Sequence, residues 1–180
     1  MEPATNLVEV ARSNEVPTMH GFFSRSIADK ILEQEGQPDL ITATNVFAHI
    51  DDIRSLTENI KRLLRPNGIL IIEVPYLPVM LDSGTVDLVY HEHLSYFSIL
   101  PLVKFFKKYD LNLIKIEKVD TKGGSIRYYW SRSQSIYKVD FSVHKYSQIE
   151  KKFNISKNKF KNYNKKINLC KNKLLDYLNK

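Results

Sequence analysis

The 180-residue sequence has very little cysteine and no long apolar run. Cys170 is its single cysteine, which excludes an internal disulfide and a cysteine-rich zinc site, and no metal site is expected. Glu2, Glu9 and Glu15 interrupt the first residues, so a signal peptide is not expected. No apolar stretch approaches the roughly 20 residues of a membrane span. These absences predict a cytoplasmic protein without a membrane partner.

The positive charge is concentrated toward the end of the chain. The net charge is +7, and residues 145–180 hold eleven lysines against two acids, which gives +9 there and leaves −2 elsewhere. Basic stretches bind nucleic acid or anionic lipid in some proteins. This one has neither a glycine-rich nor a stacked-aromatic signature. We therefore expect a solvated lysine face rather than a nucleic-acid partner.

Alternating strand and helix patterns predict an α/β fold. Strand patterns occupy four segments, residues 39–45, 69–74, 111–119 and 125–131. An amphipathic helix over 53–64 joins the first two, which indicates a right-handed crossover. The second strand is apolar without interruption, as is typical of a parallel strand covered on both faces. The last two strands flank a glycine turn and are expected to form an antiparallel pair at one sheet edge.

From about residue 143 the pattern changes. Apolar residues recur three and four positions apart, with lysine and asparagine between them, which predicts a long amphipathic helix. Such a helix needs a surface to lie against, and this domain, another chain and a further domain all stay open as its partner. We divide the chain into a domain over 1–133 and a basic helical extension over 134–180.

The densest group of reactive side chains lies between the second strand and the next predicted helix. The stretch Tyr90-His91-Glu92-His93-Leu94-Ser95-Tyr96-Phe97-Ser98 contains two histidines, a carboxylate and two phenols. Imidazole titrates near neutral pH, so the stretch can supply an acid–base group. Two interpretations stay open from these residues alone: a catalytic loop, and a surface loop with a structurally hydrogen-bonded histidine.

This stretch and four others resemble the S-adenosylmethionine-dependent C-methyltransferases that act on nucleotide-linked deoxy-keto-sugars. The other four are Asn45-Val-Phe-Ala-His-Ile-Asp51, Leu64-Arg-Pro-Asn-Gly68, Glu73-Val-Pro-Tyr-Leu77 and Gly123-Gly-Ser-Ile-Arg127. The resemblance implies an incomplete class I methyltransferase (Rossmann-like) sheet, truncated at both ends and lacking the first glycine-rich strand. A nucleotide-linked keto-sugar is then the expected substrate, and a separate chain that supplies the missing strand is an expected partner.

By the same resemblance the cofactor is S-adenosylmethionine, bound by Glu2, Phe22, Phe23, Asn45 and His49. Glu2 is expected to accept hydrogen bonds from the ribose hydroxyls, since a carboxylate can accept from both. Phe22 and Phe23 belong to the segment that packs on the adenine. Asn45 and His49 belong to the wall beside the methionine moiety. For His49, a structural hydrogen bond at a helix entry is the alternative.

The chemistry that the resemblance implies is methylation of a sugar carbon next to a ketone. Loss of a proton from that carbon gives an enolate, which attacks the sulfonium methyl group. His93 is the expected base, and Glu92 and Tyr90 are expected to orient it or to bind sugar oxygens. The expected substrate-binding residues are His91, Gly123, Gly124, Ser125 and Arg127. For Arg127, an ion pair at the edge of the core is the alternative.

Two functions stay open at this point. The first is a methyltransferase, or a fragment of one, that acts on a sugar carbon. The second is a non-catalytic remnant, or half of a split methyltransferase, that acts as an interaction module through an exposed sheet edge. Calorimetry with S-adenosylmethionine distinguishes them, since only the first requires the cofactor.

Overall fold

A computed structural model describes residues 1–179 and confirms the α/β fold. The strands are β1 (Leu40–Thr44), β2 (Ile69–Pro75), β3 (Leu111–Val119) and β4 (Ser125–Arg132). The helices are α1 (Thr5–Ser13), α2 (Arg25–Gln34), α3 (Ile53–Leu63), α4 (Leu77–Ser83), α5 (Ile99–Lys107), α6 (Phe141–Phe153) and α7 (Lys157–Leu178), with a short 3₁₀ helix at Phe47–His49. Within residues 1–179, no helix combines the length and apolarity that a bilayer span requires.

The four strands form one mixed sheet in the order β1-β2-β4-β3. β1 and β2 are parallel and α3 connects them, as the crossover prediction requires. β4 runs antiparallel to both β2 and β3, which confirms the predicted antiparallel pair and places β3 at the edge. The carboxyl ends of β1 and β2 therefore meet at the same end of the sheet.

The hydrophobic core covers one face of this sheet. Leu70, Ile72 and Val74 of β2 are completely buried (0% exposed), and they pack in one cluster with side chains of α3 and α5. Ile69 and Ile71, which point to the opposite face, remain partly exposed. The prediction that β2 is covered on both faces is therefore wrong for residues 1–179, because α3 and α5 lie on the same side of the sheet.

The two edges of the sheet differ. The segment that leads into α6 covers the outer edge of β3. Asp140 donates its backbone N–H to the carbonyl oxygen of Ile114 (2.7 Å), and the Ser142 hydroxyl accepts from the backbone N–H of Ile116 (3.0 Å). In the part of the chain that the structure describes, no strand pairs with the outer edge of β1.

The predicted C-terminal helical segment is present but is divided into two helices. Asn154 ends α6 in a left-handed conformation (φ 52°), which asparagine tolerates better than most residues. α6 packs against β3 and α5, and α7 packs against α4. These helices therefore lie on the domain itself, although the boundary at residue 133 stays a prediction.

Candidate active site

Two backbone contacts hold the stretch from Tyr90 to Ser98, called here the YHEH loop, near the carboxyl ends of β1 and β2. Leu94 donates its N–H to the carbonyl oxygen of Ala48 in the 3₁₀ helix that follows β1 (2.9 Å). Leu77, at the start of α4, donates its N–H to the carbonyl oxygen of Phe97 (3.0 Å). The loop predicted as catalytic thus lies where α/β sheets bind their ligands.

Hydrogen bonds on both ring nitrogens fix the orientation of His93. Its Nδ1 lies 2.8 Å from the carbonyl oxygen of Leu88, which can only accept, so Nδ1 carries the proton of the neutral ring. Nε2 is then an acceptor, and the Tyr90 hydroxyl donates to it at 3.0 Å. The two rings lie 4.3 Å apart between centroids. Nε2 is therefore the unprotonated nitrogen of His93, and it faces the Tyr90 hydroxyl. The catalytic roles of His93 and Tyr90 stay predictions.

His49 and Glu92 extend this cluster. The His49 ring stands edge-on to His93, with 4.9 Å between the ring centroids. Glu92 lies beside His49 and not beside His93, with 3.7 Å between Glu92 Oε2 and His49 Nδ1. His91 is exposed, and its ring lies 6.3 Å from that of Tyr90. Within residues 1–179, no group of three or more potential ligands is arranged to hold a metal ion.

Asn45 sits at the carboxyl end of β1 in a strained conformation. Its φ is 55°, in the left-handed region, and its N–H donates to the carbonyl oxygen of Glu73 in β2 (2.9 Å). Its side-chain Oδ1 is buried and accepts no hydrogen bond from the described residues. A buried acceptor without a donor is costly, so a ligand that brings an ammonium or hydroxyl group here would satisfy it. This geometry fits the predicted cofactor role.

The other predicted cofactor residues lie in the N-terminal segment. Glu2 forms an isolated parallel bridge with His20, and its Oε1 accepts the backbone N–H of Ala4 (2.9 Å). Phe22 is 80% exposed, whereas Phe23 packs against the core. Within residues 1–179, no hydrogen bond joins this segment to the YHEH loop. The cofactor roles of Glu2, Phe22 and Phe23 stay predictions.

The turn before β4 is built closely against α4. Gly124 has a φ of +121°, and a Cβ added to it would lie 2.7 Å from Cγ1 of Val79. Gly123 also has a positive φ (+74°). Ser125 is buried, and its hydroxyl donates to the carbonyl oxygen of Thr121 (3.0 Å). Packing against α4 thus gives Gly124 a structural role, and contact of both glycines with substrate stays a prediction.

Arg127 forms the ion pair that the sequence left open as its alternative role. Its Nε and Nη2 donate to Glu73 Oε2 at 2.9 and 2.7 Å, and the Glu73 side chain is only 4% exposed. The hydrogen bond to Glu73 is the main cause that raises the pKa of Arg127. Thr121 donates to the other Glu73 oxygen (3.1 Å). Substrate binding by Arg127 stays a prediction.

Glu150 in α6, a residue without a predicted role, supports the far end of the YHEH loop. Its buried carboxylate accepts the Tyr76 hydroxyl (2.8 Å) and the backbone N–H groups of Ile99 (2.7 Å) and Leu100 (2.9 Å). It therefore caps α5 from a different helix. The sequence did contain a sign that Glu150 is buried, because it lies at helical spacing on the same face as Val143, Tyr146 and Phe153.

Known proteins resemble this chain in sequence and in structure. Residues 1–116 match a family model described as a methyltransferase domain, and residues 120–180 match a C-methyltransferase C-terminal domain. The C-methyltransferase NovU from Streptomyces niveus is 35% identical over 126 residues, which are 70% of this chain and 30% of NovU. The chain thus spans less than a third of the length of that relative.

Two solved structures illustrate the structural similarity. PKMT2 from Rickettsia typhi has a TM-score of 0.49 and 12% identity, over 78% of this chain and 45% of that chain. TehB from Haemophilus influenzae has a TM-score of 0.45 and 16% identity, over 72% of this chain and 48% of that chain.

The family match covers well over half of the chain and includes β1, β2 and the YHEH loop. S-adenosylmethionine, the methyl donor that the resemblance implied, is the cofactor of this family. The chain belongs to the methyltransferase domain family, and its residues 120–180 match a C-methyltransferase C-terminal domain.

Proposed function

We propose that this chain carries the catalytic loop of a C-methyltransferase that methylates a sugar carbon next to a ketone. The observation that carries the proposal is the hydrogen-bonded orientation of His93, which leaves Nε2 as the basic atom. An imidazole with an unprotonated nitrogen suits removal of a proton next to a carbonyl group. S-adenosylmethionine supplies an electrophilic methyl group.

The proposed reaction begins with proton transfer to His93. Nε2 takes the proton from the sugar carbon, and the C–H electron pair becomes the enolate. Bound S-adenosylmethionine would supply the methyl group to this carbon, with the electrons of the broken carbon–sulfur bond left on sulfur. His93 must lose the acquired proton to solvent before the next turnover. Each atom and charge is accounted for without a further reactant.

Tyr90 and the His49–Glu92 pair have supporting roles in this scheme. The Tyr90 hydroxyl occupies Nε2 in the absence of substrate, so it must give up this position when the sugar carbon approaches. It can then donate to the developing enolate oxygen, where a fixed donor contributes most. Glu92 lies 3.7 Å from His49, whose ring stands edge-on to His93, so a negative charge lies near the imidazole pair.

Asn45 would bind the ammonium group of the cofactor. Its buried Oδ1 is free to accept, and an N–H donor there would remove the cost of an unpaired polar atom. In the N-terminal segment, Glu2 would accept from the ribose hydroxyls. Binding by the isolated chain is testable by calorimetry: affinity at micromolar S-adenosylmethionine supports the proposal, and no heat at millimolar cofactor contradicts it.

The decisive variant is His93→Ala. Methyl transfer to a nucleotide-linked keto-sugar should be abolished in the longest active form of the enzyme, while calorimetric binding of S-adenosylmethionine is retained, because the base is lost but Asn45 is untouched. His144→Ala, which removes an exposed histidine in α6, is the matched control and should keep full activity. Unchanged turnover in His93→Ala would remove His93 as the base.

The open edge of β1 favours a second candidate function, an interaction module. Asn45 N–H points toward β2, so by strand alternation the N–H and C=O groups of Leu40, Thr42 and Thr44 point away from it. Leu40 is also 53% exposed. An unpaired edge of this kind can add a strand from another chain. Absence of cofactor binding, together with a stable complex that Thr42→Pro disrupts, would favour this function.

A further inference from the structure

Helix α7 packs against the segment that leads into the YHEH loop. Tyr163 in α7 is 7% exposed, and its hydroxyl donates to the carbonyl oxygen of Thr85 at 2.7 Å. Its ring belongs to a small apolar cluster, separate from the main core, with Met80, Leu81 and Leu88. A helix that the sequence placed in a basic extension therefore supports the chain just before Tyr90.

Leu88 links this cluster to His93. Its side chain is buried in the cluster with Tyr163 (7% exposed). Its carbonyl oxygen accepts both the Nδ1–H of His93 (2.8 Å) and the hydroxyl of Tyr96 (3.1 Å). The side chain of Leu88 thus faces α7, and its carbonyl group faces the imidazole of His93. A displacement of Leu88 would move the atom that fixes which nitrogen of His93 carries the proton.

The Tyr163 hydroxyl is suited to a permanent structural contact. Burial is the main cause that raises the pKa of this phenol, with smaller contributions from Tyr96 and Asp87. The hydroxyl therefore stays protonated and remains a donor to Thr85 across the working range of pH. At the other end of the YHEH loop, Glu150 holds the N–H groups of Ile99 and Leu100. Helices α6 and α7 thus hold the loop at both ends.

We infer that Tyr163 is a positioning residue for His93, acting through the Thr85–Leu88 segment. A role for Tyr163 in catalysis rests on the proposed function, in which His93 is the base. The contacts of Tyr163 with Thr85 and of Leu88 with His93 do not depend on that proposal. Tyr163 does not need to reach substrate or cofactor in this arrangement. Its function is to keep the Leu88 carbonyl at the distance at which Nδ1 carries the proton and Nε2 stays free to accept one.

The test is Tyr163→Phe in the 180-residue protein, followed by nuclear magnetic resonance of the histidine side chains at a pH where they are neutral. In the wild type, His93 should be the Nδ1–H tautomer. In Tyr163→Phe, it should shift toward the mixture of tautomers of a free imidazole. Loss of one hydrogen bond should also lower the exchange protection of the Leu94 N–H roughly fivefold.

The matched control is Tyr177→Phe, which removes the same hydroxyl from a 77% exposed position of the same helix. It should leave His93 and Leu94 as in the wild type. If Tyr163→Phe does not fold, Ile167→Ala reduces packing against the same cluster and should move the His93 resonances in the same direction. An unchanged His93 tautomer and unchanged Leu94 protection in a folded variant would overturn the inference.

This readout does not depend on turnover, so the two proposals can fail separately. If Tyr163→Phe shifts the His93 tautomer and His93→Ala is fully active, Tyr163 positions His93 but His93 is not the base. If Tyr163→Phe leaves the His93 tautomer unchanged and His93→Ala is inactive, His93 is the base but Tyr163 does not position it.

Discussion

Glu150→Gln should strongly destabilise the fold, because one buried carboxylate serves three donors. Glu150 is 3% exposed, and its two oxygens accept from the Tyr76 hydroxyl and from the N–H groups of Ile99 and Leu100. A glutamine has one acceptor oxygen, and its NH₂ group would face a donor. At least one of the three donors, which are all buried or partly buried, then loses its partner.

The size of the effect follows from these contacts. A buried donor that loses its partner costs about 1–3 kcal/mol. The remaining hydrogen bonds also lose their charge assistance, which roughly halves their strength. Together these losses predict a decrease of about 2–4 kcal/mol in the free energy of unfolding. For a typical urea dependence of about 2 kcal/mol per molar, the unfolding midpoint should fall by about 1–2 M.

The assay is urea unfolding followed by the fluorescence of Trp130. This single tryptophan is completely buried and lies 4.3 Å from Phe106 between ring centroids, so its emission reports on the main core. Glu58→Gln makes the same substitution at an exposed position of α3 and should change stability little. If Glu150→Gln differs from Glu58→Gln by less than about 0.5 kcal/mol, the three hydrogen bonds do not stabilise α5 as described.

Two further predictions concern the sheet and its turn. Hydrogen bonding to Lys115 is the main cause that lowers the pKa of Glu117 below its usual 4.5. The ionised carboxylate therefore stabilises the fold at pH values above 4.5. This stabilisation is lost as the pH falls through the lower pKa of the folded state. Glu117→Gln should therefore be less stable than the wild type at pH 7 and should converge with it in acid; an equal urea midpoint difference at both pH values would contradict this. Gly124→Ala should lower the free energy of unfolding by about 1–3 kcal/mol, because the added Cβ would lie 2.7 Å from Cγ1 of Val79. Gly36→Ala, at a positive φ with open space, should cost roughly 1 kcal/mol, and equal thermal midpoints for the two variants would exclude the Val79 contact.

The sequence predicted the sheet well because its signals are local. The continuous apolar run of β2 and the crossover helix between β1 and β2 are each visible in a short window. The prediction that β2 is covered on both faces was wrong, because a run of apolar residues does not indicate how many helices lie on each side of the sheet. Helix α4 was not predicted, because its seven residues, with Pro78 in the first turn, continue the apolar run that ends β2 at Pro75.

The site was predictable to the level of residue type. Tyr90 was expected to orient His93 and lies against its ring, whereas the contacts of His49 with His93 and Glu92 were not expected, and the roles of these residues stay predictions. The division of the C-terminal helix at Asn154 was also missed, because an asparagine within an amphipathic pattern is not by itself a helix end. Glu150 was missed because its partners are main-chain groups about fifty positions away.

Three carbonyl oxygens, those of Ala48, Thr85 and Leu88, receive the contacts that hold the YHEH loop and the imidazole of His93. Every amino acid has this atom, and position 48 is already alanine, so alanine at Thr85 or Leu88 would leave the acceptor in place and report only a change in packing. Replacing single peptide bonds by esters, at the Leu94 amide for example, would instead remove one donor without altering any side chain. Related chains could therefore differ in side chain at position 85 and still present the same imidazole nitrogen to a substrate, whereas the buried positions 48 and 88 must also keep their packing.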